Sequence, residues 1–315
     1  MAIDTHSPSG AHTADRRGAW ILIGLYLAVG SVAFTFVKVA LKELSPLGLA
    51  AGRVVTSALT YIAVVAASPR RRTHIAKRDR VTVMLCGLVG SAGFHVLFAW
   101  GQQRVSIAVS AVIFATMPAI TAVGEVLFLS HRFQRHHIVG LVLSTVGCVL
   151  IGVHGSGGNT SVIGAFSIFG SVLAWAAVTV ATRKAAGAYD QWWFYTPGTV
   201  LGAVVLLGLE APHLSEYVHL SFKGWLVVIW LGSASSAFVY YALARVMTVL
   251  PATTTVSIGS VLTPTTVLVA WAVLGTAPTW FDVVGGGVVI GGVMLVTRDR
   301  VPFSRRRTGE PVPTP

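Results

Sequence analysis

Between Ser106 and Leu129 the chain runs for 24 residues with one charged side chain, Glu125, and one proline, Pro118. A helix on the surface of a soluble core repeats a polar stripe every 3.6 residues, and this stretch has none. About 20 apolar residues rising ~1.5 Å each match the ~30 Å of a bilayer's hydrocarbon. The stretch is therefore expected to cross a membrane. Proline supplies no amide hydrogen and crowds the carbonyl four residues back. A membrane helix tolerates it where packed neighbours or a water-lined cavity satisfy the freed carbonyl. Pro118 is thus read as a kink beside a cavity.

The element recurs. Ala252–Leu274 carries Leu262-Thr263-Pro264 where the earlier stretch carries Thr116-Met117-Pro118, and Gly90-Ser91-Ala92 returns as Gly232-Ser233-Ala234. Lys38 returns as Lys184, and Gly140 and Gly147 as Gly285 and Gly292. The shared order predicts an internal duplication. Ten apolar segments follow: Trp20–Leu41, Pro46–Ala66, Val81–Trp100, Ser106–Leu129, Ile138–Val153, Ser161–Thr182, Trp192–Leu209, Phe222–Ala244, Ala252–Leu274 and Phe281–Val296. The expected fold is all-α, ten transmembrane helices in two repeats, residues 19–154 and 161–298. Residues 1–18 and 299–315 are expected to be disordered cytoplasmic tails. With 54% hydrophobic and 11% charged residues, the chain lies far from the ~25% charged of soluble domains.

The net charge of +12 has a distribution that favours membrane loops over nucleic-acid binding. With the N-terminus placed inside, the inner loops hold Arg16 and Arg17, six basic residues from Arg70 to Arg80, Arg132, Arg135, Arg183, Lys184, Arg245, and five from Arg298 to Arg307. The outer loops keep only Lys38, Lys42, Arg104 and Lys223. This bias predicts both termini in the cytoplasm. Five helices per repeat is an odd number, so the second repeat enters the membrane inverted. That is a secondary-transporter architecture, with its site near the midplane between repeats. Cys86 and Cys148 lie in apolar segments and suggest no disulfide.

The pattern resembles the EamA-type branch of the drug/metabolite transporter superfamily. The resemblance rests on Val29–Arg53, the two proline segments and Leu173–Lys184, and extends over about Trp20–Arg298. It implies a carrier of the bacterial inner membrane that alternates between inward- and outward-facing states. It further implies export of a small metabolite such as an amino acid or related carboxylate. The proline segments end in Leu129-Ser130-His131 and Leu274-Gly275-Thr276, where the family usually has Leu-Gly-Glu. Without those acids, transport driven by the substrate gradient is expected. Rival classes are a membrane-embedded enzyme, which would need paired acids or a nucleophile and base at one depth, and a lipid-linked-sugar flippase or non-transporting scaffold.

Ionisable residues in apolar segments cost free energy and so mark sites. Arg53, His95 and Lys38 fall at similar depths and could form a vestibule for a carboxylate; equally, Arg53 could snorkel and His95 could be a satisfied core histidine. Glu125 is the acid expected inside a helix, as a proton or amine site or as an interfacial partner of Arg132, Arg183 or Lys184. Ser110, Met117 and Thr121 share a helical face with it, and Ser257 and Ser260 share one with Pro264; these faces are expected to line the cavity or, alternatively, only to hydrogen-bond between helices. Trp175, Tyr240 and Tyr241 could wall it. Trp20, Trp100, Trp192, Trp193, Trp225 and Trp280 are expected at the membrane interfaces. Gly140, Ser144, Cys148 and Gly152, with Gly287 and Gly291, are expected to pack helices through small-residue contacts. His131, His136 and His137 lack an acid or Cys at ligand spacing, and no phosphate-binding loop occurs. No metal, cofactor or ATP hydrolysis is expected.

Overall fold

The computed structural model describes residues 9–68, 75–128, 161–185, 189–248, 262–275 and 278–296, with scattered positions between 135 and 150. Those residues are helices and short connections. The helices are α1 (Ser9–Ala40), α2 (Pro46–Ala67), α3 (Lys77–Arg104), α4 (Ile107–Phe114), α5 (Met117–Phe128), α6 (Val162–Ala185), α7 (Gln191–Glu210), α8 (Phe222–Met247), α9 (Leu262–Leu274) and α10 (Trp280–Val296). Six of them, α1, α2, α3, α6, α7 and α8, are long and apolar enough to cross a membrane. The segment expected at Ile138–Val153 lies largely outside the described residues.

Helix starts follow from capping chemistry. Ser45, Ser106 and Ser221 each accept a hydrogen bond from an amide three residues on, and Asp190 accepts from the amides of Trp192 and Trp193. Each such cap removes an orphan donor and is worth about 1 kcal/mol. Pro46 follows Ser45 at the first helical position, where its missing amide hydrogen costs nothing.

Between Ser106 and Phe128 the chain forms two helices rather than one kinked helix. α4 stops at Phe114, four residues before Pro118, and Ala115–Thr116 form a turn. Pro118 then stands in the first turn of α5, where no intrahelical donor is required. Pro197 is a proline inside α7 that does not break it. α3 and α8 each contain a π-helical turn, Leu88–Gly93 and Ser233–Phe238.

Both ends of the bundle tie one half of the chain to the other. At one end, the Ser45 amide donates to Glu216 Oε2 at 2.9 Å. There the Ser221 amide and hydroxyl donate to Glu43, each at 2.9 Å, and the Tyr217 hydroxyl donates to Gly48 O at 2.6 Å. Burial and the neighbouring carboxylates of Glu210 and Glu216 push that phenol up to about 12, so it remains a donor. The Ser161 amide donates to Arg104 O at 3.2 Å, which starts α6 at the end where α3 finishes. At the opposite end, the Tyr189 hydroxyl donates to Asp79 Oδ2 at 2.7 Å and accepts from the Ala76 amide. α1 and α6 therefore run in opposite directions.

Glycines set the closest approaches. Gly87 of α3 and Gly198 of α7 cross with their backbones in direct contact, and an added Cβ on either would overlap main-chain atoms of the other. Small residues let helices gain dispersion contacts where lipid offers no hydrophobic drive. The glycines expected in this role behave differently. Gly140 is buried, but Ser144, Cys148 and Gly152 lie outside the described residues. Gly287 and Gly291 are exposed, and a Cβ there would meet open space. The buried glycines of α10 are Gly285, Gly286 and Gly292, because the helix turns that edge toward α4 and α5.

Candidate functional site

The helices enclose a cavity of about 50 Å³, room for roughly three to five water molecules. Its walls come from both halves: Tyr26 and Phe34 on α1, Phe94 and Phe98 on α3, Phe114 on α4, and Trp175 on α6. Met117 and Leu262, beside the two prolines, also face it. The phenylalanines form one packed group. Phe34, Phe98 and Phe114 meet edge to face with centroids 5.1–5.3 Å apart, and Phe94 stacks on Phe98 at 5.7 Å. Such pairs add about 0.5–1.5 kcal/mol each beyond area burial.

Arg53 and Ser235 bring a charge and an aliphatic hydroxyl to this lining. Arg53 is 4% exposed. Its Nη2 donates to Ser236 Oγ at 3.2 Å and Ser235 Oγ at 3.4 Å, while its buried Nε has no partner among the described residues. Among those residues the salt bridge is Arg78–Asp79, far along the chain. A buried guanidinium held by two neutral hydroxyls is under-compensated, and its planar fork matches a carboxylate.

The remaining expected residues divide around this cavity. His95 lies behind the lining, with Nδ1 2.5 Å from Ser91 O and Nε2 2.9 Å from Ser236 Oγ. Trp175 faces the cavity with Tyr240 stacked behind it at 4.7 Å; the Tyr240 hydroxyl donates to Gly90 O in the α3 π turn. Tyr241 is displaced, stacking on Trp192 at 4.5 Å. Trp192 is therefore a buried core residue rather than an interface anchor, since Tyr61 packs on it as well. Ser110 is fully buried and donates to Ser106 O of its own helix, so it does not line the cavity. Thr121 is buried, outside the lining, and its hydroxyl has no partner among the described residues. The Glu125, Pro118 and Pro264 side chains, and Ser257 and Ser260 entirely, lie outside the described residues.

Lys38 is not a vestibule cation. Its Nζ donates to the carbonyls of Gln102 at 2.5 Å and Val105 at 2.8 Å, closing the end of α3. Glu125 is also not the one acid within the helices. Glu210, at the end of α7, is 1% exposed, and its Oε1 has no partner among the described residues. The hydropathy of α7 ends at Leu209, which hid this acid. Ser235 and Ser236 were hidden because a serine next to small residues carries no signal by itself.

Membrane-length helices around an aromatic cavity that holds the buried Arg53 define a helical membrane protein. The chain belongs to the EamA-like transporter family, whose pattern matches residues 18–153 and again 162–298. A "Probable terminal-alkyne amino-acid exporter" of Streptantibioticus cattleyicolor is 25% identical over 299 residues, covering 94% of this chain and 98% of that protein. The uncharacterized transporter YdfC of Bacillus subtilis is 25% identical over 87% of each chain. An uncharacterized transporter of Archaeoglobus fulgidus is 24% identical over 89% of this chain and 99% of its own. A solved crystal structure shares the fold at a TM-score of 0.63 and 17% identity, covering 89% of this chain and 96% of the other.

Proposed function

We propose that this protein is a secondary carrier that moves a small carboxylate-bearing metabolite, an amino acid or close relative, out of the cell by alternating access. The observation that carries this reading is Arg53, a buried guanidinium without an acidic partner among the described residues, on the wall of an aromatic cavity. Arg53 takes the carboxylate, and the phenylalanines and Trp175 take an apolar body. The cavity lies between the halves, and the carrier loads and releases its substrate as they part. The carrier has ten transmembrane helices in two inverted repeats, spans the bacterial inner membrane and keeps both termini cytoplasmic. The opposed directions of α1 and α6 and the crowding of basic residues into one set of loops support this arrangement. The amino-acid exporter among its relatives supports the substrate class.

The test is counterflow into proteoliposomes with a panel of labelled amino acids and their uncharged amides. Carboxylates should exchange and amides should not. Arg53→Ala should reduce exchange more than tenfold, as expected for losing a charged hydrogen bond of about 1.5–3 kcal/mol. Glu125→Gln should have a smaller effect. Parent-like exchange by Arg53→Ala would remove the anion site from this cavity.

A further inference from the structure

Behind Arg53, two acceptors compete for one hydrogen. Nδ1 of His95 lies 2.5 Å from Ser91 O, and a carbonyl only accepts, so Nδ1 carries a hydrogen. Ser236 Oγ lies 2.9 Å from His95 Nε2, 2.9 Å from Leu231 O and 3.2 Å from Arg53 Nη2. The guanidinium only donates, so it uses a lone pair of the hydroxyl. The single Ser236 hydrogen then goes either to His95 Nε2 or to Leu231 O. In the first arrangement His95 is a neutral imidazole. In the second, the contact at Nε2 is a hydrogen bond only if the ring donates there as an imidazolium. The charge of His95 and the direction of one hydroxyl are one variable.

The groups around the ring decide which arrangement holds. Arg53 on α2 already places a positive charge on the same hydroxyl. Tyr240 on α8 and Tyr61 on α2 are phenols, donating to Gly90 O and Ala237 O. No carboxylate among the described residues bonds to His95 or Arg53. Two adjacent buried cations without an anion are costly, so an empty site holds the neutral ring. A carboxylate on Arg53 cancels that repulsion.

We propose that His95 is a proton-uptake residue: an anion binding at Arg53 draws one proton from solvent onto His95 Nε2, and the Ser236 hydroxyl turns from His95 to Leu231 O. The His95 N–H bond forms as an O–H bond of a hydronium ion in solvent breaks, leaving water, and nothing is oxidised or reduced. Anion and proton are then bound together, which gives this acid-poor cavity a route to proton coupling. Leu231 lies five residues before Ser236, so the turned hydroxyl bonds across the π turn of α8. The inference rests on the reading of Arg53 as the anion site.

The probe is benzoate, with benzamide as its uncharged control, titrated calorimetrically into the purified full-length protein in buffers of different protonation enthalpy. The wild type should take up about one proton per benzoate bound, and its affinity should rise about tenfold per unit fall in pH where the ring titrates. H95Q should bind benzoate without proton uptake or pH dependence. S236A should lose most of the uptake and S236T should regain it. Nitrogen NMR of histidine-labelled protein checks the resting state: the signal missing from H95Q should be a neutral ring protonated on Nδ1 in the empty wild type, and doubly protonated with benzoate. Benzoate binding that needs Arg53 but takes up no proton would overturn this inference and leave the anion site standing. Binding that is absent, or indifferent to R53A, would overturn the anion site and the inference with it.

Discussion

Gly87 and Gly198 show how one hydrogen atom in place of a methyl sets a helix crossing. A Cβ at either would enter the other's backbone, whereas at Gly208 it would meet open space. Gly198→Ala should lower the melting temperature in detergent by several degrees, since overpacking costs about 1–3 kcal/mol. Gly208→Ala should be neutral or slightly stabilising, because alanine is the better helix former by about 1 kcal/mol. Equal melting of the two variants would show that the crossing relaxes. At this scale, Arg53 and His95 were legible in the sequence because a charge or imidazole in an apolar run is conspicuous. Ser236, which holds both, was not, because its role exists only where α2, α3 and α8 meet.

Among elements, the two prolines at Pro118 and Pro197 behave differently for a positional reason. Pro118 ends one helix four residues earlier and begins the next, while Pro197 sits about two turns inside α7, which continues past it. Pro118→Ala returns the missing amide hydrogen and lets α4 and α5 join into one helix. Transport should fall severalfold while the melting temperature stays level or rises, as read by counterflow and thermal unfolding of the same preparation. Pro264→Ala should act in the same direction. If both variants transport like the parent, the two prolines do not shape the transport path. The π turns of α3 and α8 are a feature that pattern reading missed, since hydropathy carries no mark of a carbonyl register. Their carbonyls serve the site: Gly90 O and Ser91 O accept from Tyr240 and His95.

For the molecule as a whole, the opposed ends make an accessible prediction. Lys77, at the start of α3, and Ser215, between α7 and α8, are exposed at opposite ends of the bundle. In a background lacking Cys86 and Cys148, Ser215→Cys should react with an impermeant thiol reagent in intact cells, and Lys77→Cys should react only after the cells are opened. Labelling of Lys77→Cys in intact cells would reverse the orientation drawn from the basic loops. The ties between the two halves at each end, Glu43 with Ser221 and Asp79 with Tyr189, are short polar contacts. Their exchange for water costs little, which suits the proposed motion between the halves.

The amino-acid order alone determined that the chain is helical and membrane-bound, because length and apolarity answer directly to the thickness of hydrocarbon and to its intolerance of unpaired backbone groups. It also marked Arg53, His95, Met117, Trp175 and Tyr240, whose chemistry or bulk stands out locally. Tertiary structure decided which of these face the cavity, moved Ser110, Tyr241 and Trp192 elsewhere, and turned Lys38 from a substrate cation into a helix cap. It also brought Ser236 to Arg53 and His95. Such choices depend on the rotation and depth of each helix against its neighbours. In lipid, those are set by close packing at glycines such as Gly87 and Gly198 and by few polar bonds, and neither leaves a periodic trace in the sequence.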